Sequence, residues 1–426
     1  MKFKQYEFSD IAEYITTKID ITSIEQDKYI STDNMLANFG GVSIADSLPA
    51  TERCNSFKKR DILFSNIRTY FKKVWFAGFD GGCSADVLVI RSKNEEIVLN
   101  EFLYLLICSE EFINFTIASS NGAKMPRGDK NTIKKYVFNI PNIEYQKQCI
   151  AQYFNLNKKI QLNTQINQTL EQIAQTIFKS WFIDFDPVHA KANALASGQT
   201  LEQATQAAMA VISGKNTQEL HRLQTANPEQ YQQLWEIADT FPSGVDEEGV
   251  PWGWEERYLK DVCNIVYGKN LPTSELKEQG YPVFGGNGVI GFYDKYLYDK
   301  PHTLVSCRGA ASGKVIYSLP NSFVTNNSLV IEHSKSYLSS FYVYEALSIQ
   351  NLTKLTSGSA QPQMTIANMN PVQIIVPTEK AHSLYFNFVK GIYDKKLYGL
   401  YENEVLSKIR NELLPKLLSG EILNGN

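Results

Sequence analysis

The chain has 426 residues, enough for two to four domains that each bury a core of their own. Hydrophobic residues make up 43% and charged residues 20% of it, which is typical of a folded globular protein and excludes a disordered or fibrous chain. The opening segment, MKFKQYEFSD, lacks the apolar core of a signal peptide, and no run of apolar residues predicts a membrane span. The six scattered cysteines form no C-x-x-C pair, so we predict no metal site and expect a reduced, cytoplasmic protein.

The net charge of −3 is distributed unevenly along the chain. Residues 184–256 hold 12 acidic against three basic residues, a net charge of −9, so the remainder holds 39 basic against 33 acidic residues, a net charge of +6. A modest positive excess outside one acidic segment permits a polyanionic partner without requiring one.

Residues 1–141 contain short runs of Tyr, Phe, Val and Ile separated by Gly, Pro and Asn, a pattern that predicts a β-rich domain. One helical segment, EEFINFTIASS (110–120), lies inside it. A long helix follows over residues 142–187, because apolar residues recur there at spacings of three and four, which is typical of a coiled-coil seam. The predicted seam residues are Ile166, Leu170, Ile173 and Ile177.

The acidic segment 188–250 is predicted to be an insert of helices followed by a linker. Its helical parts are 190–214, rich in Ala, Gln and Leu, and 228–241. A second β-rich domain follows over 251–377. A second long helix over 378–426 continues the seam with Leu406, Ile409 and Leu413.

The chain repeats itself at an offset of 236 residues. GAKMPRGDKNTIKKYVFNIP (122–141) aligns without a gap to GSAQPQMTIANMNPVQIIVP (358–377), and three residues of the two predicted seams match at the same offset. DILFSNIR (61–68) also resembles HTLVSCRG (302–309), since in both an apolar triplet precedes a serine and an arginine. The sequence therefore predicts an α+β fold, with two β-rich domains in pseudo-twofold tandem repeat joined by two long antiparallel coiled-coil helices.

In this order the motifs resemble the specificity subunit of a type I DNA restriction–modification enzyme. The resemblance rests on the tandem arrangement over essentially the whole chain, on SWFIDFDP (180–187), on PWGWEERYLKDV (251–262) and on GSAQPQM (358–364). In that family each β-rich unit is a target recognition domain for one half of a split DNA sequence, and the paired helices set the gap between the half-sites. The segment 188–250 is longer than a simple junction between the two halves.

The resemblance implies a non-catalytic subunit that recognises double-stranded DNA. Two methyltransferase subunits would dock along the helices, and motor–nuclease subunits would bind that core. The complex would methylate adenine at N6 and cleave DNA with S-adenosylmethionine, ATP and Mg²⁺, while this chain would bind no cofactor itself.

Two basic clusters are candidates for contacts to the DNA backbone, since Lys and Arg neutralise phosphates and release counterions. Residues 53–73 hold seven basic residues against Asp61, and residues 124–135 hold five against Asp129. The alternative for each cluster is a solvated strand edge or helix face. The candidates are Arg53, Lys58, Lys59, Arg60, Arg68, Lys72, Lys73, Lys124, Arg127 and Lys130, with Lys134 and Lys135 beside them.

Further candidates lie in the second half. Arg308 matches Arg68, and because both halves share this arginine although they should recognise different sequences, a phosphate contact or a structural salt bridge is favoured over base recognition. Asn287, in VFGGNGVIGFY (283–293), could pair with adenine, or its glycines could simply make a tight turn. The set is completed by Gln361 and Gln363, which could also pair with adenine, and by Lys269, Lys314, Asn326 and Asn327.

Contacts to partner subunits are expected from the seam residues of both long helices and from Trp181 and Phe182. For these two aromatic residues the alternative is packing in the core. Asp184 and Asp186 lie next to a proline, which is typical of a helix end and not of a metal site.

No catalytic motif is evident. The sequence lacks a D/N-P-P-Y/F methyltransferase loop, a G-x-x-x-x-G-K-[ST] phosphate loop and a G-x-S-x-G elbow. Two rival hypotheses remain beside DNA recognition. One is a coiled-coil adapter whose β-rich domains bind protein or glycan, and the other is a nuclease that uses Asp261, Glu275 and Lys277.

Overall fold

The computed structural model describes residues 2–122, 126–358 and 361–421. The chain forms two compact units, which confirms the predicted α+β class with two tandem domains. Unit 1 comprises residues 1–163 and 401–426, and unit 2 comprises residues 164–400. Two long helices, Ile143–Phe182 and Glu379–Ser419, each contribute to both units.

A four-stranded antiparallel sheet lies at the centre of unit 1. Its strands follow the order Ala12–Ile15, Val87–Ser92, Ile62–Ser65 and Val74–Phe76. A second sheet has the order Lys18–Asp20, Arg53–Phe57, Gly81–Cys83 and Tyr29–Ile30. Two strand pairs are Lys4–Glu7 with Val137–Ile140 and Ser120–Asn121 with Arg127–Gly128. The short helices are Phe8–Ile11, Asn100–Ile107, Glu110–Ala118 and Lys130–Ile133.

The strand Ile62–Ser65, third in the central sheet of unit 1, is buried on both faces. Ile62 and Phe64 belong to the main apolar core of unit 1, and Leu63 belongs to a second core that includes Phe57. Successive side chains of a strand point to opposite faces, so the continuous apolar run Ile-Leu-Phe is what a strand between two cores requires.

The central sheet of unit 2 repeats this strand order with Asn264–Tyr267, Ser328–Glu332, Thr303–Ser306 and Val315–Tyr317. A three-stranded sheet has the order Gly288–Tyr293, Tyr281–Gly285 and Phe323–Val324, and Glu255–Tyr258 pairs with Gln373–Val376. The short helices are Leu259–Val262, Ser340–Ser348 and Ile366–Met369. The shared strand order confirms the tandem repeat predicted from the sequence.

The acidic segment of unit 2 contains four helices, Asp186–Ala196, Leu201–Ser213, Thr217–Ala226 and Pro228–Asp239. The sequence predicted one helix over 190–214, but a turn with Gly198 at a φ of +79° divides it, and the third helix was not predicted. Lys191 is 4% exposed, and its Nζ donates to the carbonyl of Phe241 at 2.7 Å. Its positive charge stabilises the carbonyl end of the helix Pro228–Asp239. Burial lowers the pKa of Lys191.

The two long helices run antiparallel within unit 1. Near one end of the pairing, Tyr145 Oη donates to the carbonyl oxygen of Leu417 at 2.9 Å. Near the other, Asn163 Nδ2 donates to Asn403 Oδ1 at 3.0 Å. Residue numbers thus rise along one helix as they fall along the other.

The helices are also antiparallel within unit 2. Asn167 Nδ2 donates to the carbonyl oxygen of Lys396 at 3.1 Å, and the rings of Phe178 and Tyr385 pack with their centroids 6.0 Å apart. The predicted antiparallel pairing is therefore confirmed within each unit.

The predicted seam is wrong in detail. Ile166, Ile173 and Ile409 are 36%, 43% and 45% exposed, so they do not form the buried contact between the helices. In unit 2 the buried positions include Ala174, next to the predicted Ile173. Asn167, next to the predicted Ile166, donates a hydrogen bond to the opposite helix. The face that meets the opposite helix is therefore offset by one residue from the predicted apolar 3–4 pattern. The remaining predicted seam residues, Leu170, Ile177, Leu406 and Leu413, are half-buried.

Trp181 and Phe182 lie in the core of unit 2, and their predicted role as partner-contacting residues is corrected. Their side chains are 2% and 0% exposed. Both rings pack on Tyr385, with centroids 5.7 Å and 4.9 Å away, and Phe182 also packs on Trp254 at 5.5 Å. Because the chain itself covers both rings, neither offers a surface to another subunit.

Candidate nucleic-acid interface

In unit 1 the backbone that follows the third strand of the central sheet meets the segment around Arg127. Ile67 and Arg127 form an antiparallel bridge, and Gly128 N donates to the carbonyl oxygen of Asn66 at 3.1 Å. A glycine permits this approach, because a Cβ at position 128 would lie 2.8 Å from Asn66 Oδ1. The structure therefore brings the predicted residues Arg68 and Arg127 into neighbouring loops.

Unit 2 contains the same arrangement. Arg308 and Gln363 form an antiparallel bridge, and Met364 N donates to the carbonyl oxygen of Cys307 at 3.1 Å. Met364 lies 236 positions after Gly128, so the hydrogen bond matches that of unit 1. Two sites predicted separately from the sequence, Arg308 and Gln363, are thus one site in the fold.

A lysine occupies the same place beside each of these loops. Ser65 N donates to the carbonyl oxygen of Lys73 at 3.0 Å in unit 1, and Ser306 N donates to that of Lys314 at 2.9 Å in unit 2. Each unit consequently presents one Arg and one Lys where the third and fourth strands of its central sheet are connected. The predicted match of Arg308 with Arg68 is wrong by one residue, because the bridges place Arg308 at the position of Ile67.

The glycine-rich segment of unit 2 forms a β-hairpin with its turn at residues 286–287. Gly286 packs closely on the central sheet, because a Cβ there would lie 2.9 Å from Ser306 Oγ. Asn287 is exposed, and its Oδ1 accepts a hydrogen bond from Lys314 Nζ at 2.6 Å. The tight turn and the placement of Asn287 beside a basic residue are therefore both present.

The loop GSAQPQM is closed by backbone hydrogen bonds. Ser357 and Gln363 exchange two N–H···O bonds of 2.8 Å each, and Gly358 has a φ of +91°, which favours glycine. Gln361 and Gln363 are exposed, whereas residues 359 and 360 lie outside the described residues. The backbone shapes this loop and leaves two amide side chains available to a ligand.

Several predicted basic residues already have acidic partners. Arg60 Nε donates to Glu101 at 2.8 Å and its Nη2 to Glu95 at 3.2 Å, and the hydrogen bond to Glu101 raises the pKa of Arg60. The other pairs are Arg53 with Asp20 (3.0 Å), Arg127 with Asp86 (3.0 Å) and Lys72 with Glu110. Exposed ion pairs contribute only ~0–1 kcal/mol, so a phosphate can compete for these cations and their DNA contacts stay predictions.

The remaining basic candidates are exposed but scattered. Asp61, the acid inside the first basic cluster, is 1% exposed and binds Arg91 through two hydrogen bonds of 2.6 Å and 2.8 Å, so it does not neutralise the surface lysines. Lys124 lies outside the described residues. The exposed candidates are Lys58, Lys59, Lys130, Lys269, Arg308 and Lys314.

Sequence reasoning missed exposed apolar side chains beside both sites. Tyr70 and Phe71 are 47% and 40% exposed and lie in the turn after Arg68. Val289 and Ile290 are 48% and 44% exposed and lie just after Asn287 in the hairpin. Two aromatic residues between Arg68 and Lys72 are a signal that could have marked the first of these.

The nuclease hypothesis finds no support. Lys277 Nζ pairs with Asp294 at 2.9 Å, and Glu275 accepts a hydrogen bond from Tyr293. Within residues 2–122, 126–358 and 361–421, no group of three or more His, Cys, Asp and Glu side chains is placed to hold a metal ion. Burial raises the pKa of the Cys307 thiol, so it is not activated as a nucleophile.

Among the described residues, no helix combines the length and the apolar character that crossing a membrane requires.

Comparison with known proteins identifies relatives of the chain. The family model of the type I restriction modification DNA specificity domain matches residues 1–172 and 251–394 and thus omits the acidic segment. The type I restriction enzyme HindI specificity subunit of Haemophilus influenzae is 33% identical over 462 residues, 99% of each chain. The MjaIX specificity subunit of Methanocaldococcus jannaschii is 22% identical over 347 residues, 76% of this chain and 69% of that one.

A solved structure supports the fold. The crystal structure of the S subunit of a type I restriction–modification system from M. genitalium gives a TM-score of 0.52 at 13% identity, covering 98% of this chain and 96% of that chain. The family match, the near-complete coverage of a 33% identical relative and the tandem repeat agree. This chain therefore belongs to the type I restriction–modification DNA specificity family.

Proposed function

We propose that this chain is the DNA-recognition subunit of a type I restriction–modification complex, and that units 1 and 2 each bind one half of a bipartite DNA site. Its contribution is sequence recognition and assembly, since the named relatives are specificity subunits. In this proposal the chain binds no cofactor and acts in the cytoplasm. The other subunits supply adenine-N6 methylation and ATP-dependent cleavage with S-adenosylmethionine, ATP and Mg²⁺.

One observation carries the proposal. The same connection between strands holds Arg68 and Lys73 in unit 1 and Arg308 and Lys314 in unit 2. Backbone hydrogen bonds match the two lysines, and the bridges place Arg308 at the position of Ile67, one residue before Arg68. Shared cations suit the part of DNA that does not vary with sequence, which is the phosphate backbone. Side chains that differ between the units suit the bases.

The neighbouring loops supply such differing side chains. Arg127 in unit 1 lies at the position of Gln363 in unit 2. Arginine pairs best with guanine, whereas glutamine pairs with adenine. Asn287, which accepts from Lys314, gives unit 2 a second amide of this kind. The two units are thus equipped to recognise different half-sites.

The long helices offer apolar surface to partner subunits. In unit 2, Ile173 and Tyr398 are 43% and 59% exposed, and in unit 1, Val405 and Ile409 are 57% and 45% exposed. Aliphatic and aromatic side chains that are uncovered at these helix positions suit protein–protein contact. We assign this surface to two methyltransferase subunits, with motor–nuclease subunits binding the resulting core.

Methylation mapping of a host that carries the complex tests the division of labour. Wild type should methylate one bipartite sequence. Exchanging residues 1–141 for those of a relative should change one half-site and leave the other unchanged. If both methylated half-sites persist after the exchange, the assignment of one unit to one half-site is wrong.

Binding by the complex with its methyltransferase subunits tests the phosphate contacts. Arg308→Ala with Lys314→Ala should weaken binding to specific and random duplex alike and reduce the slope of log K against log salt by ~2, since each lost phosphate contact removes ~1. Arg222→Ala removes another exposed arginine, from the acidic segment, and should leave both quantities unchanged. An unchanged slope in the double variant would remove the phosphate assignment.

A further inference from the structure

The turn Thr69–Phe71 of unit 1 holds two aromatic rings out from the protein. Tyr70 and Phe71 are 47% and 40% exposed, and their ring centroids lie 4.7 Å apart at an interplanar angle of 50°. Thr69 is 3% exposed and anchors the turn. The two rings thus form one projecting apolar feature, which we call the aromatic turn.

The backbone around the aromatic turn is strained. Arg68 and Lys72, which bracket it, have φ values of +50° and +52°, in the left-handed region that side chains rarely adopt. Asn38 and Phe39 in the facing loop have φ values of +54° and +59°. Four of the seven non-glycine residues with positive φ in the described part of the chain therefore lie in these two loops. Such strain gathers at functional sites and persists only where surrounding contacts hold it.

Those contacts are present. Asn38 N donates to the carbonyl oxygen of Phe71 at 2.9 Å, and Phe39 N donates to that of Lys72 at 3.0 Å. Lys72 also pairs with Glu110 through its side chain. The turn is consequently fixed in place before any ligand binds, which reduces the entropy lost on binding.

The aromatic rings are not needed to build the turn. In unit 2 the equivalent turn lies between Ser306 and Lys314, and it carries Ala311 and Ser312 where unit 1 has Tyr70 and Phe71. The same strand connection forms with and without the aromatic side chains. Their presence in unit 1 therefore points to a ligand of that unit.

Charge identifies the ligand. The aromatic turn lies between Arg68 and Lys73, and Lys73 Nζ lies 5.9 Å from the Phe71 ring centroid. Arg127 is on the adjoining loop. Apolar rings surrounded by cations suit duplex DNA, whose phosphates bind the cations while an apolar side chain enters between neighbouring base pairs.

Resting on the DNA-recognition function proposed above, we propose that Tyr70 and Phe71 form a wedge that enters a base step of the half-site bound by unit 1 and stacks on the unstacked base. Unit 2, with Ala311 and Ser312 at this place, leaves the stacking of its half-site intact. The two half-sites are therefore deformed unequally, and unit 1 gains specificity for steps that unstack readily.

The test uses the complete complex and a duplex that contains the site found by methylation mapping. 2-Aminopurine, whose fluorescence rises when it is unstacked, is placed at successive positions of both half-sites. The target adenines and their neighbours are left out of the comparison, because the methyltransferase subunits flip these adenines out of the stack. At the remaining positions we expect, with wild type, a rise at one step of the unit 1 half-site and none in the other. Tyr70→Ala with Phe71→Ala should abolish the rise and weaken specific binding about five- to 150-fold, since stacking contributes ~1–3 kcal/mol per base.

Two controls separate the wedge from other effects. The salt dependence of binding should be the same in the double alanine variant, because no charge is removed, and Tyr258→Ala, which removes an equally exposed ring (45%) from unit 2, should change nothing. If the alanine variant unfolds early on heating, Tyr70→Gln with Phe71→Gln keeps side-chain bulk without an apolar wedge and should still lose the fluorescence rise.

The outcomes are distinct. A wild-type complex that binds the mapped site with no fluorescence rise in the unit 1 half-site away from the target adenine overturns the wedge and leaves the recognition function standing. Retained affinity and a retained rise in the alanine variant do the same. Failure of the wild-type complex to bind any duplex overturns the recognition function, and the wedge with it.

Discussion

Units 1 and 2 join the start of a short helix to a long helix through the same hydrogen bond, but they use different side chains. In unit 1, Leu99 N donates to Gln146 Oε1 at 2.9 Å. In unit 2, Ser339 N donates to His382 Nε2, also at 2.9 Å. Gln146 and His382 differ by 236 positions, the offset of the repeat. Both units use a backbone N–H as the donor, but the acceptor is a titratable histidine in unit 2 and a glutamine, which does not titrate, in unit 1.

The helices packed against these junctions differ in the same way. Asn100–Ile107 and Ser340–Ser348 begin 240 positions apart, so Leu105 and Glu345 are equivalent, and both are fully buried. Glu345 accepts a hydrogen bond from Tyr393, and burial raises its pKa to about 7. Duplicated halves therefore preserve backbone geometry more strictly than they preserve buried chemistry, and pH should affect unit 2 more than unit 1.

The largest expected change in the free energy of unfolding comes from truncating side chains that are buried near the ends of the two paired helices. Trp181 in unit 2 and Leu417 in unit 1 are offset by 236 and are 2% and 1% exposed. Trp181→Ala should cost about 3–5 kcal/mol and Leu417→Ala about 2–5 kcal/mol, because each leaves a cavity. Amide hydrogen exchange should accelerate mainly in residues 303–332 for the first and 62–92 for the second. Equal acceleration in both segments for either variant would contradict separate cores.

Acid should weaken unit 2 through His382. Burial lowers the pKa of His382 to about 4, below the ordinary 6.5. Between these two pH values the unfolded chain binds a proton at His382 that the folded chain does not bind. The stabilisation is complete above pH 6.5 and is lost as the pH falls to about 4, a difference of about 3 kcal/mol. His382→Gln, which copies Gln146, should remove this loss from denaturant unfolding measured across that range. An unaltered pH profile in the variant would exclude His382 as its source.

Glu345 should act in the opposite direction. Its folded pKa of about 7 lies above the ordinary 4.5, so its protonated form stabilises the fold below pH 4.5, and this is lost as the pH rises through 7. Glu345→Leu, which copies Leu105, should raise the free energy of unfolding by about 1–3 kcal/mol at pH 8 and have little effect at pH 4.5. Its pH profile should then fall toward acid, as His382 dictates. A variant less stable than wild type at pH 8 would show that the hydrogen bond with Tyr393 outweighs the cost of burial.

The smallest effect concerns the corrected seam. Ile173→Ala and Ile409→Ala should change the free energy of unfolding by less than about 0.5 kcal/mol, because both side chains are exposed. Leu414→Ala, at a position that is 7% exposed, should cost about 2–5 kcal/mol. The two isoleucine variants should instead weaken binding of the methyltransferase subunits in titrations. A large loss of stability in either isoleucine variant would show that the originally predicted seam residues do form the contact between the helices.

Much of the fold was predictable from the sequence. Matched Gly and Pro positions at one offset revealed the repeat, because they mark turns that the backbone requires. The apolar triplet at residues 62–64, which the sequence shares with the second half, forms the buried part of the strand Ile62–Ser65. The helix Thr217–Ala226 was missed, since it is polar on most of its surface and only Leu220 is buried.

The composition of the candidate site was less predictable. Arg68 and Arg308 could be named, but their pairing with the loops of Arg127 and Gln363 depends on contacts between residues 55–60 positions apart. The acidic partners of Arg60 likewise come from a distant helix and loop. Local patterns carry no record of such neighbours, so the sequence identified candidates and the fold decided which of them meet.

The route of the chain has a consequence for its synthesis. Unit 2 is one continuous segment, whereas the core of unit 1 needs Leu414 and Leu417 from beyond it. At about 5–20 residues per second, a ribosome takes roughly 12–48 s to pass from residue 163 to residue 401. During that interval the surface of Tyr145 and Cys149 that will meet Leu417 stays uncovered. The unit that begins first on the ribosome is thus the one completed last, and an interrupted translation yields a finished unit 2 beside an open unit 1.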